Sequence, residues 1–156
     1  MNDSLGKDAE KKIKEWLDRP EEGYCFDRLP DQMTGFWGST NICDFTLFKA
    51  PNFYYIESKA TWQDRFDFSM ITDYQYTEMY KKSQIAGVTC YVIVLFATYK
   101  RAFAIDIRDI HEYRENHGVK SLNIKKIAKW EVPVKEIKTI LSRKNLLDYY
   151  KGENVL

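Results

Sequence analysis

A carboxylate and an ammonium group lie two residues apart in the segment PNFYYIESKATW, residues 51–62. The aromatic and aliphatic residues before them are typical of a buried strand, in which alternate side chains point to the same face. Glu57 and Lys59 therefore share one face, about 7 Å apart along the strand. Such a pair can help to bind a divalent cation and to stabilise the negative charge that develops during phosphodiester hydrolysis.

A second carboxylate is predicted to lie opposite Glu57 across a β-hairpin. Pro51 belongs in the turn, because proline cannot donate to a strand ladder. A hairpin centred between Ala50 and Pro51 pairs Asp44 with Glu57, and directly opposed Cβ atoms lie about 4.5–5.5 Å apart. Two carboxylates this close repel each other unless a cation lies between them, and oxygen ligands suit Mg²⁺. A register slip of one residue would move Asp44 to the other face.

The competing interpretation is that these acids only face water, since E-x-K occurs by chance in many proteins. Asp44 argues against it, because the segment ICDFTLF around this residue is otherwise strongly apolar. A buried carboxylate without a partner is costly. Either a metal ion or Lys59 would supply that partner.

The elements that hold these residues are predicted to form an α/β domain. Apolar residues at helical spacing predict a first helix that Pro20 stops, and the glycine-containing segment 30–41 predicts a loop. The full set comprises helices over residues 5–18, 71–87, about 107–116, 121–129 and 134–147, and strands over residues 24–29, 42–48, 52–60, 89–97 and 102–107. This order predicts a mixed central β-sheet flanked by helices, in a single domain over residues 1–156.

Composition narrows the class of protein. No apolar run approaches the roughly 20 residues of a membrane helix, and the charged N-terminus does not resemble a secretion signal. The three cysteines disfavour a disulfide framework and predict buried free thiols in a reducing cytoplasm. The net charge of +1 does not by itself indicate a nucleic-acid partner. We therefore expect a cytoplasmic protein with no membrane partner.

Asp44 followed by Glu57-Ser58-Lys59 resembles the PD-(D/E)xK nuclease signature, and the order of elements resembles the restriction-endonuclease-like core of that superfamily. The closer resemblance is to the RecU-like Holliday-junction resolvases, and it covers nearly the whole chain. The residues that carry it include Gly6 with Glu10 in the first helix, Thr61 in the E-x-K-x-T pattern, and Gln75 in FDFSMITDYQYTEM.

This resemblance implies a metal-dependent endonuclease that cuts four-way DNA junctions by paired symmetric nicks and works as a homodimer in DNA recombination and repair. It implies that Asp44, Glu57 and Ser58 bind Mg²⁺, with Mn²⁺ as the alternative cation, and that Lys59 and Glu10 join the two acids in catalysis. The predicted substrate-binding residues are Thr61, Arg65, Gln75 and Lys81.

Two features depart from the larger members of this group. Residues 30–43 leave room only for a short loop where those members carry a long stalk, and Tyr74 replaces the usual histidine before the helix glutamine. Both features fit a compact, phage-type member. Two other functions remain open: a restriction or repair nuclease of the same superfamily, and a noncatalytic DNA-binding protein that assists recombination.

Overall fold

The computed structural model describes residues 3–18, 20–30 and 40–132. The helices are α1 (Asp3–Leu17), α2 (Asp73–Ser83) and α3 (Ile107–His111), and α3 continues as a π-helical segment, Glu112–Asn116. The strands are β1 (Tyr24–Arg28), β2 (Phe45–Lys49), β3 (Asn52–Thr61), β4 (Arg65–Asp67), β5 (Val88–Phe96), β6 (Arg101–Asp106), β7 (Ser121–Asn123) and β8 (Glu131–Val132).

A six-stranded mixed sheet in the order β1-β2-β3-β5-β6-β8 forms the centre of the fold. β3 and β5 are parallel, whereas the other neighbouring pairs are antiparallel. A parallel pair needs a crossover connection, and α2 provides it between β3 and β5. The predicted mixed sheet flanked by helices is therefore confirmed.

Helices cover the sheet because its central strands are apolar on both faces. α1 packs against β3, and α2 packs against β5 and α3. Ile13 and Leu17 of α1 are fully enclosed in the core, as are Phe45 and Ile56 of the hairpin. Nearly every residue of β5 is buried, as expected for a central strand with helices on both sides.

The hairpin formed by β2 and β3 has the predicted register. Phe45 pairs with Ile56, and Lys49 pairs with Asn52 across a turn that contains Pro51. Asp44 lies just before β2, and its backbone N donates to the Ile56 carbonyl at 3.2 Å, which keeps it beside β3. The alternation of apolar side chains fixes this register, since a slip would expose the core face.

The predicted helix over residues 121–129 is wrong. Residues 121–123 are instead strand β7, which pairs antiparallel with β4 and places Leu122 opposite Phe66. Both of these side chains are buried. The Asn123 side chain then accepts a hydrogen bond from the Lys125 backbone N, and short 3₁₀ turns follow. Burial of the Phe66–Leu122 pair overrides the local helical pattern.

Other boundaries differ in detail. α2 ends at Ser83 rather than at residue 87, and Gly87 lies in the following turn with φ +84°, a conformation that favours glycine. Strand β8 has no counterpart in the sequence prediction. Cys43 and Cys90 are buried free thiols as expected, whereas Cys25 is exposed. The predicted helix over residues 134–147 and most of the loop over residues 30–41 lie outside the described residues.

Candidate active site

Asp44 is tied to the strand that carries the other predicted acid. Its Oδ2 accepts a hydrogen bond from the Ser58 backbone N at 2.8 Å. The paired register of the hairpin ends at Phe45 and Ile56, the neighbours of Asp44 and Glu57 in the chain. The fold therefore brings together two carboxylates that lie 13 positions apart in the chain.

Lys59 forms an ion pair with one carboxylate oxygen of Glu57. Its Nζ lies 2.8 Å from Glu57 Oε1, and the side chains are 16% and 3% exposed, respectively. Glu57 Oε2 is buried and has no hydrogen-bond partner among the residues that the structure describes. Asp44, Glu57 and Lys59 form what we call the carboxylate site.

Negative charge at the carboxylate site exceeds what Lys59 neutralises. Burial, followed by the charges of Glu57 and Glu10, raises the pKa of Asp44 to about 7, although the hydrogen bond from Ser58 and the charge of Lys59 oppose the shift. Burial also raises the pKa of Glu57, against the opposing effects of Lys59 and Gln75. Both carboxylates therefore resist ionisation, and a bound cation would relieve this cost.

The donor set fits a hard divalent cation in part. Within residues 3–18, 20–30 and 40–132, no group of three or more His, Cys, Asp or Glu side chains forms a metal-binding cluster. Mg²⁺, however, is often held by one or two carboxylates together with water and substrate phosphate. Two carboxylates, one with a buried and unpartnered oxygen, match that pattern.

Ser58 contributes to the carboxylate site through its backbone. Side chains alternate along β3, so the Ser58 hydroxyl lies on the face opposite Glu57 and Lys59. That hydroxyl is buried, and no group in the described part of the chain forms a hydrogen bond with it. The structure thus brings the Ser58 main chain, but not its side chain, to Asp44.

Glu10 approaches the carboxylate site from α1. Its charge raises the pKa of both Asp44 and Glu57. Glu10 Oε2 also accepts from Arg28 Nη2 of β1 at 2.9 Å. Arg28 thus links α1 to the edge of the sheet and restrains the Glu10 carboxylate.

The predicted substrate-binding residues lie at different distances from the carboxylate site. Gln75 lies in the first turn of α2 and lowers the pKa of Glu57. Thr61 ends β3, and its Oγ1 accepts from the Gln63 backbone N at 3.1 Å. Arg65 is exposed on β4, and Lys81 is exposed in the last turn of α2, about 9 Å along the helix axis from Gln75. The structure brings Gln75 to the carboxylates but does not bring Lys81 there.

Sequence reasoning missed Arg28 and Thr72. The T-x-x-Q pattern just before α2 is a capping-box signature, so Thr72 could have been found from the sequence. Arg28 carries no comparable signal, because its contact with Glu10 depends on how β1 lies beside α1.

Comparison with known proteins identifies the family. Residues 33–152 match the family described as Recombination protein U, RecU. The chain belongs to the RecU family. The match includes Asp44, Glu57, Lys59 and Gln75 but begins after α1, so Glu10 lies outside it. It confirms the predicted RecU-like Holliday-junction resolvase, an endonuclease of DNA recombination.

A solved structure supports the same fold. The chain is similar to Hjc, a Holliday junction resolvase from the archaeal hyperthermophile Archaeoglobus fulgidus, with a TM-score of 0.54 and 13% sequence identity. The similarity covers 83% of this chain and 95% of Hjc. None of the curated proteins matches the chain. Among the described helices, none is long and apolar enough to cross a membrane.

Proposed function

We propose that this RecU-family chain is a single nuclease domain that cuts four-way DNA junctions with a divalent cation held by Asp44 and Glu57. The observation that carries this proposal is the pair of carboxylates, the half-buried Asp44 just before β2 and the buried Glu57 on β3, with the Lys59 ammonium 2.8 Å from Glu57. Mg²⁺ is the proposed cation and Mn²⁺ the alternative, because the available ligands are hard oxygens.

Asp44 and Glu57 would hold the cation in a position that the hairpin fixes before substrate arrives. When bound, the cation would polarise the scissile phosphate and lower the pKa of a water molecule. The Ser58 backbone N–H keeps Asp44 oriented, and Lys59 keeps Glu57 oriented. This preorganisation reduces the rearrangement needed during the reaction.

Lys59 has a second role in the proposal. Its side chain is 16% exposed, so the ammonium group can reach the substrate while it remains bonded to Glu57. From there it can orient the attacking water and donate to a phosphate oxygen as negative charge develops. A pure DNA-binding protein would gain little from two acids facing a polyanion.

The proposed assembly is a homodimer, because two symmetric nicks in one junction need two carboxylate sites. Hjc, which shares the fold, is itself a Holliday junction resolvase. Thr61 at the end of β3 and the exposed Arg65 on β4 are proposed to contact DNA near the cut, and Lys81 to contact a phosphate farther away. A cytoplasmic location remains part of the proposal.

A cleavage assay on a four-way junction and on a linear duplex of matched sequence tests the proposal. We expect paired nicks near the branch point only in the presence of Mg²⁺ or Mn²⁺, and little cleavage of the duplex. Equal cutting of both substrates would indicate a general nuclease instead. Binding without cutting, unchanged by Asp44→Asn, would indicate a noncatalytic accessory protein.

Glu10→Gln should slow junction cleavage about 10-fold without weakening junction binding, because the Glu10 carboxylate would help to attract the proposed cation to Asp44 and Glu57 rather than contact DNA. Single-turnover cleavage and a binding assay in EDTA measure the two effects. Glu15→Gln, an exposed change on the same helix, is the matched control and should leave both unchanged. Equal rates for the two variants would remove Glu10 from the proposed site.

A further inference from the structure

The pairing of β4 with β7 builds a two-stranded ribbon that begins close to the carboxylate site. β3, the strand that carries the site, ends at Thr61, and β4 begins at Arg65. The chain from Thr61 to Asp64 spans at most about 11 Å. We define the β4–β7 ribbon as these two strands together with the turn that follows β7, Ile124–Lys126. Its near end therefore lies within reach of any DNA bound at the carboxylate site.

Hydrogen bonds fix the turn after β7 beside the start of β4. The Ile124 backbone N donates to the Asp64 carbonyl at 2.8 Å, and the Asn123 amide donates to the Asp64 carboxylate at 3.2 Å. The Lys125 backbone N then donates to the Asn123 side chain at 2.9 Å. These bonds place Lys125 and Lys126 next to a segment that lies far from them in the chain.

The near end of the ribbon carries more positive than negative charge. Lys125 and Lys126 are exposed, and no acidic side chain within residues 3–18, 20–30 and 40–132 forms an ion pair with either of them. Arg65 is also exposed, and its nearest acid is Asp64, at 3.7 Å. Asp67, at the far end of β4, accepts from a backbone N of the next turn at 2.9 Å. Three cations thus stand beside one acid at the end nearest the carboxylate site.

This charge complements the backbone of DNA. Asp44 and Glu57 repel a polyanion, so a nuclease that uses them needs cations beside the site to hold its substrate. Lysine ammonium groups that bind phosphates release the counterions of DNA, and this release supplies much of the binding free energy. A distance of about 11 Å corresponds to roughly three base pairs along a duplex. The ribbon is therefore placed to contact the arm that continues from the cut.

We infer that Lys125 and Lys126 bind phosphates of a DNA arm about three or more base pairs from the cut, so that the β4–β7 ribbon holds the junction over the carboxylate site. This inference rests on the proposed cleavage of DNA junctions. It adds a contact surface to Arg65, from a segment whose sequence predicts a helix. Such phosphate contacts fix the register of the DNA without reading its sequence.

The double variant Lys125→Gln/Lys126→Gln tests this surface by junction binding in EDTA over a range of salt concentrations. We expect about 10-fold weaker binding at 0.1 M salt, and a slope of log K against log salt that is smaller by about 2, because two phosphate contacts are lost. Single-turnover cleavage at saturating protein should keep the wild-type rate. Lys125→Arg/Lys126→Arg should keep both the affinity and the slope. Lys11→Gln/Lys12→Gln, an exposed adjacent pair on α1, is the control with the same change in net charge.

Other results would overturn the inference. Wild-type binding and slope in the ribbon variant would show that the two lysines only solubilise the protein. An equal loss in the α1 control would show an effect of net charge rather than of the ribbon. If the wild-type protein binds junctions without cutting them, the proposed function fails, whereas the salt slopes still decide whether the ribbon binds DNA. If it binds no DNA, both proposals fail.

Junctions with single uncharged methylphosphonate linkages locate the contact. At a phosphate that Lys125 or Lys126 binds, this replacement should weaken binding by the wild-type protein but not by Lys125→Gln/Lys126→Gln, since that contact is already lost. We expect such a position about three or more nucleotides from the cut. Equal losses for both proteins at every position along the arms would exclude the two lysines from phosphate binding.

Discussion

Asp44→Asn should lower junction cleavage by about 10³-fold and at the same time stabilise the metal-free protein. Burial and the Glu57 charge raise the pKa of Asp44 to about 7, so at pH 8 the fold holds this carboxylate ionised at a cost. Asparagine removes the charge but keeps an oxygen that can accept from the Ser58 backbone N. We expect a gain of about 2 kcal/mol in the free energy of unfolding, which corresponds to about 5 °C in melting temperature.

Thermal unfolding in EDTA and in Mg²⁺ measures this prediction for both proteins. Mg²⁺ should raise the melting temperature of the wild-type protein, because a ligand that binds only the folded state stabilises it. Asp44→Asn should show little response to Mg²⁺. Asp27→Asn, a change at an exposed position of β1, is the control and should respond as the wild type does. An Asp44→Asn protein that is less stable in EDTA and still responds to Mg²⁺ would contradict the proposed pair of repelling carboxylates.

Lys59→Met should have the opposite effect on stability and a similarly large effect on cleavage. The substitution leaves Glu57, whose side chain is 3% exposed, without its ionic partner. Removing one member of a buried ion pair costs about 3 kcal/mol, because the remaining charge stays buried. Cleavage should fall about 10²–10³-fold, since no ammonium then faces the phosphate.

The double variant Glu57→Gln/Lys59→Met separates the two effects. It removes both charges, so it should recover most of the lost stability but none of the cleavage. Urea unfolding and single-turnover cleavage provide the two measurements. Lys7→Met, an exposed change on α1, is the control for loss of a surface charge. A Lys59→Met protein as stable as the wild type would show that Lys59 does not pair with Glu57 in solution.

The sequence was sufficient to predict the core of the carboxylate site. Pro51 located the turn, and strict alternation of side chains along β2 and β3 determined the register. These two local rules predicted that Asp44 lies opposite Glu57 and that Glu57 and Lys59 share one face. Such rules succeed here because a short hairpin brings together residues that are close in the chain.

Contacts between distant segments could not be predicted in the same way. The pairing of β7 with β4 joins Leu122 to Phe66, and the apparent helical pattern of residues 121–129 concealed it. The bond between Arg28 and Glu10 likewise depends on the relative placement of β1 and α1. A local pattern shows which side chains share a face but does not show which remote segment covers that face.

The tertiary structure alone decided the electrostatics of the carboxylate site. The sequence by itself determined which ionisable groups the hairpin carries and how β2 pairs with β3. Packing of α1 and α2 over the sheet decided how deeply Asp44 and Glu57 are buried, and it brought Glu10 and Gln75 close to them. The physical reason is that the cost of a charge depends on the solvent and the charges around it, and elements far apart in the chain supply that environment here.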